Sequence, residues 1–288
     1  MTSRCWQITF KPLKPIDDNF DEFLNNFFEV VSQNYNDDGN DEYVGYLGNN
    51  FNEEQMLQTA KLYSAELPPY EILELKSENW LKDYIIKFDP FEICNFCIYG
   101  IHETTPPKTN KIPLQIYAAT AFGSNHQTTQ SCIKAISELF DSQFTPKSIL
   151  DIGTGSGILS LCAAKLWTNT PITAGDIDDE AVIVTTSNTA TNNLSDQIQA
   201  VISDGYKHEL IKSNSPYDLI LCNILANPLI AFAQDLAKNL NPNGYCILSG
   251  FVDDQTDDVI KAHEKHGLKL IKLYSMDNWR AALMQKVK

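Results

Sequence analysis

The chain has 288 residues, of which 43% are hydrophobic and 20% are charged, and its formal net charge is −15. This composition is typical of a globular protein with a sizeable core, and the acidic balance argues against a nonspecific grip on nucleic acid. No apolar run approaches the ~20 residues of a membrane span, and MTSRCWQITFKPLK lacks the apolar core of a secretory signal. We therefore expect a cytoplasmic protein with no membrane or direct nucleic-acid partner.

The first elements along the chain predict a small α+β unit. CWQITFK is typical of a strand, DDNFDEFLNNFFEVVSQNY has apolar residues at helical spacing through Val31, and EYVGYLG is typical of another strand. We expect a second amphipathic helix at about 52–67, followed by the strand PYEILELK. This order predicts a ferredoxin-like domain over residues 1–77, with one strand undetected.

Residues 78–127 mix short strands with a Pro-, Thr- and Lys-rich break, so we interpret them as a connecting segment and a loop. From about residue 128 to 288, strands alternate with helices. This alternation predicts an α/β domain with a Rossmann-like parallel sheet covered on both faces. The last two strands lack a helix between them and predict an antiparallel hairpin at the sheet edge.

Seven cysteines in apolar contexts are typical of a reducing compartment, where thiols serve as small hydrophobic residues. Cys94 and Cys97 in EICNFCIYG have the spacing of a zinc-binding pair, but no second pair or His cluster accompanies them. We interpret both as strand residues and predict no metal site.

The stretch SILDIGTGSGILSLCAAKLW places Gly153, Gly155 and Gly157 between an apolar strand and a helix. Glycines there let the backbone turn sharply and approach a ligand, and the helix N-terminus favours an anionic group. A dinucleotide site has its third glycine one position later. With Asp151 just before it, this spacing resembles motif I of the S-adenosylmethionine-dependent methyltransferases.

Acidic residues follow the next two predicted strands. Asp176 in AGDIDDEA comes about 20 residues after the glycines, which is the spacing of an acid that binds a ribose diol. Asp178 is either a second contact or part of an acidic first helical turn. Asp204 in VISDGY is either a residue that reads the adenine amino group or a turn residue beside Gly205.

Asn223 interrupts the apolar strand YDLILCNIL at its C-terminal end, where open α/β sheets bind ligands. As structure alone, it would cap the following helix, with Pro228 in an early helical position. NILANP nevertheless resembles the N-P-P-[YF] class of motif, in which the Asn side-chain carbonyl accepts a hydrogen bond from the substrate nitrogen. Such a bond would orient the nitrogen lone pair for methyl transfer.

Five stretches in this order resemble the PrmA-type ribosomal protein methyltransferases: TAFGSNHQTTQSCIKAI, ILDIGTGSGILSLCAAKL, AGDIDDEA, CNILANPL and GYCILSGF. The resemblance covers roughly residues 78–288 and, in outline only, the N-terminal α+β unit. It implies a class I methyltransferase domain joined to a small N-terminal substrate-recognition domain. It implies that S-adenosylmethionine methylates the α-amine and lysine side chains of large-subunit ribosomal protein eleven, leaving S-adenosylhomocysteine.

The same resemblance implies roles for residues that match the family's motifs. The loop around Phe122 and Gly123 would close over the cofactor, and one residue of the Thr128–Thr129 pair would lie near the substrate amine. Asn223 and Thr128 are the implied catalytic residues. The implied cofactor-binding residues are Phe122, Gly123, Thr129, Asp151, Gly153, Gly155, Gly157, Asp176, Asp204 and Asn223.

The loop AFGSNHQTT is one residue shorter than the family's A-F-G-T-G-x-H-x-T-T and lacks its second glycine. Its His126 is either a base or, as is commoner for a lone loop His, a hydrogen-bonding residue. Other functions stay open. The chain could methylate lysines of another protein, as the electron-transfer-flavoprotein lysine methyltransferases do. It could also be a Rossmann-type oxidoreductase, against which the glycine spacing argues, or a binding protein without turnover.

Overall fold

The computed structural model of the protein describes residues 5–12, 16–28, 30–35, 41–47, 51–75, 88–117 and 126–287. The chain divides into two compact units, Met1–Tyr84 and Ile85–Lys288. The predicted domain limits at 77 and 127 remain predictions. Within the described ranges, no helix is long and apolar enough to cross a membrane.

The first unit consists of an antiparallel sheet and two helices. Its elements are β1 (Cys5–Phe10), α1 (Asp18–Phe27), β2 (Val30–Tyr35), β3 (Asp41–Leu47), α2 (Glu53–Leu62) and β4 (Tyr70–Leu75). The sheet order is β2-β3-β1-β4. The assignment to the ferredoxin type stays a prediction.

The strand β2 is the one that the sequence analysis did not detect. The predicted first helix ran through Val31, whereas α1 ends at Phe27 and β2 begins at Val30. That helix end was wrong, because consecutive β-branched residues favour extended backbone. The amphipathic pattern itself is present, since Phe20, Phe23 and other apolar residues of α1 are buried in the core of this unit.

The second unit contains a small sheet and a large one. The small sheet consists of β5 (Phe91–Ile93), β6 (Phe96–Gly100) and β7 (Ile112–Ile116). The first half of the remainder is α3 (Gln127–Asp141), β8 (Ile149–Ile152), α4 (Ile158–Leu166), β9 (Ile172–Asp176), α5 (Asp179–Thr191) and β10 (Ile198–Ile202). The second half is α6 (Glu209–Ser213), β11 (Tyr217–Asn223), α7 (Ala226–Asn239), β12 (Leu240–Val252), α8 (Thr256–Glu264), β13 (Leu268–Met276) and β14 (Trp279–Lys286).

The large sheet has the order β10-β9-β8-β11-β12-β14-β13. The five strands from β10 to β12 are parallel, whereas β14 is antiparallel to both β12 and β13. The predicted parallel sheet and edge hairpin are therefore confirmed. The strand order reverses between β8 and β11, and ligands of open α/β sheets bind at the carboxyl ends of strands at such a point.

Hydrophobic clusters cover both faces of the large sheet. One cluster joins strand residues to α3, α4 and the small sheet, and includes Phe96, Ile98, Leu114, Ile133, Ile149, Leu159 and Leu219. The other joins the opposite side of the same strands to α7 and α8, and includes Leu150, Ile220, Leu229, Leu236 and Val259. The segment 88–117 is therefore part of the second unit's core as well as a connection.

Candidate active site

The glycine turn, residues 153–157, lies between β8 and α4 at the point where the strand order reverses. Gly153, Gly155 and Gly157 all have positive φ, at 70°, 56° and 78°. The backbone N–H groups of Gly153 and Thr154 donate to the carbonyl of Gly175 in β9, at 2.8 and 3.2 Å. The predicted sharp turn thus requires glycine for its backbone conformation.

Asp151 lies at the base of this turn and is 1% exposed. Its Oδ2 accepts hydrogen bonds from Thr154 Oγ1 at 2.9 Å and Ser160 Oγ at 2.7 Å. Burial raises the pKa of Asp151 to about 6, although the two hydroxyl donors act in the opposite direction. The carboxylate therefore connects Thr154 in the glycine turn to Ser160 in α4. Its predicted contact with a cofactor remains a prediction.

Asp176 ends β9 beside the same turn and is half-buried. Its Oδ2 accepts a hydrogen bond from the N–H of Gly155 at 2.9 Å, and its Oδ1 accepts one from the N–H of Asp178 at 3.1 Å. The Asp178 side chain in turn caps α5 by accepting from the N–H of Glu180. Asp178 is thus the N-cap of α5, and the predicted acidic first turn consists of Asp179 and Glu180.

Asn223 ends β11, which pairs with β8 on one side and β12 on the other. Its Nδ2 donates to Thr129 Oγ1 of α3 at 3.2 Å. Its Oδ1 receives no hydrogen bond from any residue that the structure describes. A Cβ atom at Gly153 would overlap the side chain of Ile224, so the chain next to Asn223 packs directly against the glycine turn. The structure therefore brings the two predicted halves of the site together.

A family model for "Ribosomal protein L11 methyltransferase (PrmA)" matches residues 19–287. The chain belongs to the PrmA family. The ribosomal protein L11 methyltransferase of Brucella abortus (strain S19) is 36% identical over 213 residues, which are 74% of this chain and 74% of that protein. The corresponding enzyme of Rhodopseudomonas palustris (strain BisB5) is 32% identical over 213 residues, which are 74% and 72% of the two chains.

A crystal structure of the ribosomal protein L11 methylase from Lactobacillus delbrueckii subsp. bulgaricus matches with a TM-score of 0.59 and 25% identity. The match covers 67% of this chain and 95% of that chain. PrmA membership confirms the predicted resemblance, the methyltransferase fold and S-adenosylmethionine as methyl donor. It also argues against the oxidoreductase interpretation.

The two threonines implied by the PrmA resemblance have different partners in the structure. Thr129, which was implied in cofactor binding, is the one that contacts Asn223. Thr128, which was implied in catalysis, faces His126, the N-cap of α3: its N–H donates to the ring Nδ1 at 3.4 Å, and its Oγ1 lies 3.0 Å from that nitrogen. The His126 ring also meets Trp279 edge-on, at 4.8 Å between centroids. His126 is therefore a hydrogen-bonding cap.

Three further predicted residues have different outcomes. Asp204 is exposed and pairs with Lys207 in a turn beside Gly205, whose φ is 56°. This geometry matches the turn interpretation, while a contact with adenine stays a prediction. Phe122 and Gly123 lie outside the residues that the structure describes.

The structure also shows where the two closely spaced cysteines lie. Cys97 is buried in β6, as predicted, but the strand interpretation was wrong for Cys94, which occupies the turn between β5 and β6 with a φ of 48°. Among the residues described, no group of three or more His, Cys, Asp or Glu side chains could hold a metal ion.

Several residues at this site were missed by the sequence analysis. Thr154 and Ser160 were missed although Ser160 is a polar residue in the otherwise apolar ILSLCAA helix. Ile177, directly after Asp176, and Leu225, two residues after Asn223, are both 71% exposed. The signal available in the sequence was a large apolar residue close after each predicted polar site residue, because apolar surface beside convergent polar groups is typical of ligand sites.

Proposed function

We propose that this PrmA family member transfers methyl groups from S-adenosylmethionine to the α-amine and lysine side chains of ribosomal protein L11. The substrate comes from the names of its relatives. The observation that carries the proposal is the asymmetric pairing of Asn223, whose Nδ2 is bound by Thr129 while its Oδ1 has no donor among the described residues. An available amide oxygen beside the glycine turn suits a substrate N–H. A cytoplasmic location is part of the same proposal.

The residues around the glycine turn fit the methyl donor. Each oxygen of Asp176 accepts one backbone hydrogen bond, and a carboxylate oxygen can accept more than one, so Asp176 retains capacity for the two ribose hydroxyls. The exposed side chain of Ile177 offers apolar contact to an adenine ring. When bound, S-adenosylmethionine supplies an electrophilic methyl group attached to sulfur.

Asn223 would act by orienting the amine. Its Oδ1 accepts an N–H of the neutral amine, so the nitrogen lone pair is directed away from that oxygen and toward the methyl carbon. The hydrogen bond from Nδ2 to Thr129 Oγ1 holds the orientation of the amide plane and leaves Oδ1 as the available acceptor. A lysine amine in water is mostly protonated at neutral pH, so a proton must leave before each round of methylation.

Substrate recognition is assigned, within this proposal, to the N-terminal residues 1–77, as the PrmA resemblance implies. The net charge of −15 over the whole chain suits a basic protein substrate in general, because an acidic protein attracts a basic partner over long range.

The test is methylation of purified ribosomal protein L11 with labelled S-adenosylmethionine, followed by mass spectrometry of the modified amines. We expect wild-type protein to label L11. Asn223→Ala should lower the rate of transfer by roughly 100-fold or more, because amine orientation is lost. Its affinity for S-adenosylhomocysteine, measured by calorimetry, should stay within a few fold of wild type.

The matched control is Asn169→Ala, since Asn169 is an exposed asparagine between α4 and β9, at the opposite end of the sheet. This variant should behave as wild type. Normal turnover by Asn223→Ala would refute the amine assignment. Labelling of a different protein from a ribosome-containing extract, with L11 unlabelled, would favour the alternative lysine methyltransferase. Binding of S-adenosylhomocysteine without transfer to any protein would favour a binding protein.

A further inference from the structure

Helix α5 presents a buried polar stripe formed by Thr185, Asn188 and Asn192. Thr185 and Asn188 are three residues apart on one face of α5, and Asn192, four residues further on, is the C-cap of the helix. Asn188 is 0% exposed, and the other two are also buried. Polar side chains at such positions lose solvation unless each group is hydrogen-bonded, so the partners of this stripe indicate what it does.

The two asparagines bind the backbone of β7 and of the residue after it. Asn192 accepts from the N–H of Gln115 at 3.1 Å and donates to its carbonyl at 2.7 Å. Asn188 accepts from the N–H of Tyr117 at 2.7 Å and donates to its carbonyl at 3.1 Å. Residues two apart present their N–H and C=O groups to the same edge of a strand. The two amides therefore occupy this edge as a neighbouring strand would.

The other end of the stripe binds the glycine turn. Asn188 Nδ2 also donates to the carbonyl of Ser156 at 2.8 Å, and Thr185 Oγ1 donates to the carbonyl of Gly155 at 2.9 Å. Of the stripe's residues, Asn188 is the one whose single side chain contacts both the turn and the chain that leaves β7. That chain continues from Tyr117 to 118–125, which includes Phe122 and Gly123, and then to α3 with Thr129.

We propose that Asn188 is a positioning residue for methyl transfer. Through three hydrogen bonds, it holds the glycine turn at a fixed distance from Tyr117, the residue that follows β7. The two hydrogen bonds between Asn192 and Gln115 hold β7 against α5, but Asn192 does not contact the glycine turn. The inference rests on the proposed function, in which S-adenosylmethionine binds at the glycine turn.

The matched pair of variants is Asn188→Asp and Asn192→Asp. Each replaces a buried Nδ2 donor with a second carboxylate oxygen. Each also leaves an acceptor, which serves the N–H of Tyr117 in Asn188→Asp and the N–H of Gln115 in Asn192→Asp. Asn188→Asp also loses the bond to the glycine turn. We expect its dissociation constant for S-adenosylhomocysteine to rise about tenfold and its kcat to fall about tenfold, while Asn192→Asp binds within about twofold of wild type. Thermal unfolding shows whether the two lose similar stability.

Asn188→Ser is the second variant, because a hydroxyl retains one donor and introduces no buried charge. We expect an effect on cofactor affinity between wild type and Asn188→Asp. A folded Asn188→Ser with wild-type affinity and kcat would refute the inference, as would equal losses of affinity in Asn188→Asp and Asn192→Asp. Cofactor affinity is measured without a protein substrate. A wild-type protein that binds the cofactor but does not methylate L11 would therefore refute the proposed substrate and leave Asn188 testable.

Discussion

The carboxyl ends of β9 and β11 use their polar residues in opposite ways. At the end of β9, both oxygens of Asp176 accept hydrogen bonds from backbone N–H groups of neighbouring turns. At the end of β11, only the nitrogen of Asn223 is bound, and its oxygen has no donor among the described residues. The side chain at the end of β9 therefore stabilises the backbone of the neighbouring turns, whereas the side chain at the end of β11 offers one available acceptor. Changes at the first should alter cofactor affinity, and changes at the second should alter transfer.

The largest effect should come from Gly153→Ala, which would disturb both ends. The new Cβ would overlap Ile224, the neighbour of Asn223, and the backbone would keep a φ of 70° that suits glycine. We expect kcat/KM to fall by roughly 1,000-fold, because displacing a reacting group costs roughly 100-fold and the distorted glycine turn adds a loss of cofactor affinity of about tenfold. Steady-state kinetics and calorimetry with S-adenosylhomocysteine measure the two contributions.

Gly267→Ala is the control for Gly153→Ala, because it introduces backbone strain without steric overlap. Gly267 has a φ of 82°, but a Cβ there meets nothing within 4 Å. The Gly267→Ala variant should have a lower free energy of unfolding than the wild type and the same activity. If Gly153→Ala were as active as Gly267→Ala, the glycine turn and Asn223 would not be coupled through Ile224.

The next effect should be confined to the β9 end. Asp176→Ala removes the acceptor for Gly155 and the group assigned to the ribose hydroxyls. Loss of a charged hydrogen-bond partner costs about 1.5–3 kcal/mol, so the dissociation constant for S-adenosylhomocysteine should rise roughly 10- to 150-fold. Asp179→Ala, an exposed acid in the first turn of α5, is the control for general charge effects. Unchanged affinity in Asp176→Ala would remove this residue from the cofactor site.

The smallest effect concerns the pH dependence of stability. Burial raises the pKa of Asp151 from its ordinary 3.8 to about 6, so the folded state favours the protonated form. Its ionisation therefore lowers the free energy of unfolding as the pH rises from about 4 to 6, and this cost is fully present above pH 6. Relative to Asp151→Asn, the wild type should gain about 1 kcal/mol between pH 7.5 and pH 5.5.

Urea unfolding of the two proteins at both pH values measures this difference. The comparison between variants cancels the titration of the other acidic groups. Parallel stability profiles would show that Asp151 keeps an ordinary pKa in the folded protein.

Much of the site could be predicted because sheet topology converts positions in sequence into positions in space. The glycine turn, Asp176 and Asn223 each follow a strand of a parallel sheet, and carboxyl ends of parallel strands meet at one edge. The spacing after the glycines was enough to suggest a ribose contact for Asp176, whereas the amine role of Asn223 needed a resemblance to known methyltransferase motifs in addition. Val30 and Val31 show the limit of periodicity, since their spacing matched a helix and their β-branched side chains favoured a strand.

Pairings between side chains were not predictable in the same way. Thr129 and Asn223 are 94 residues apart in sequence, and adjacent threonines do not reveal which one faces the sheet. Asn188 and Asn192 look like ordinary polar residues of an exposed helix face in the sequence. Their burial follows from β7, whose position against α5 depends on long-range packing.

Ile224 lies between two glycines that belong to different strands or turns. Gly153 faces its side chain, and Gly250 of β12, with a φ of 97°, faces its backbone carbonyl. The backbone next to Asn223 can follow its present path only because Gly153 and Gly250 have no Cβ atom. A relative could retain every polar residue of the site and still be inactive if either glycine were replaced. Inactive members of this kind are therefore better identified by their glycines than by their asparagine.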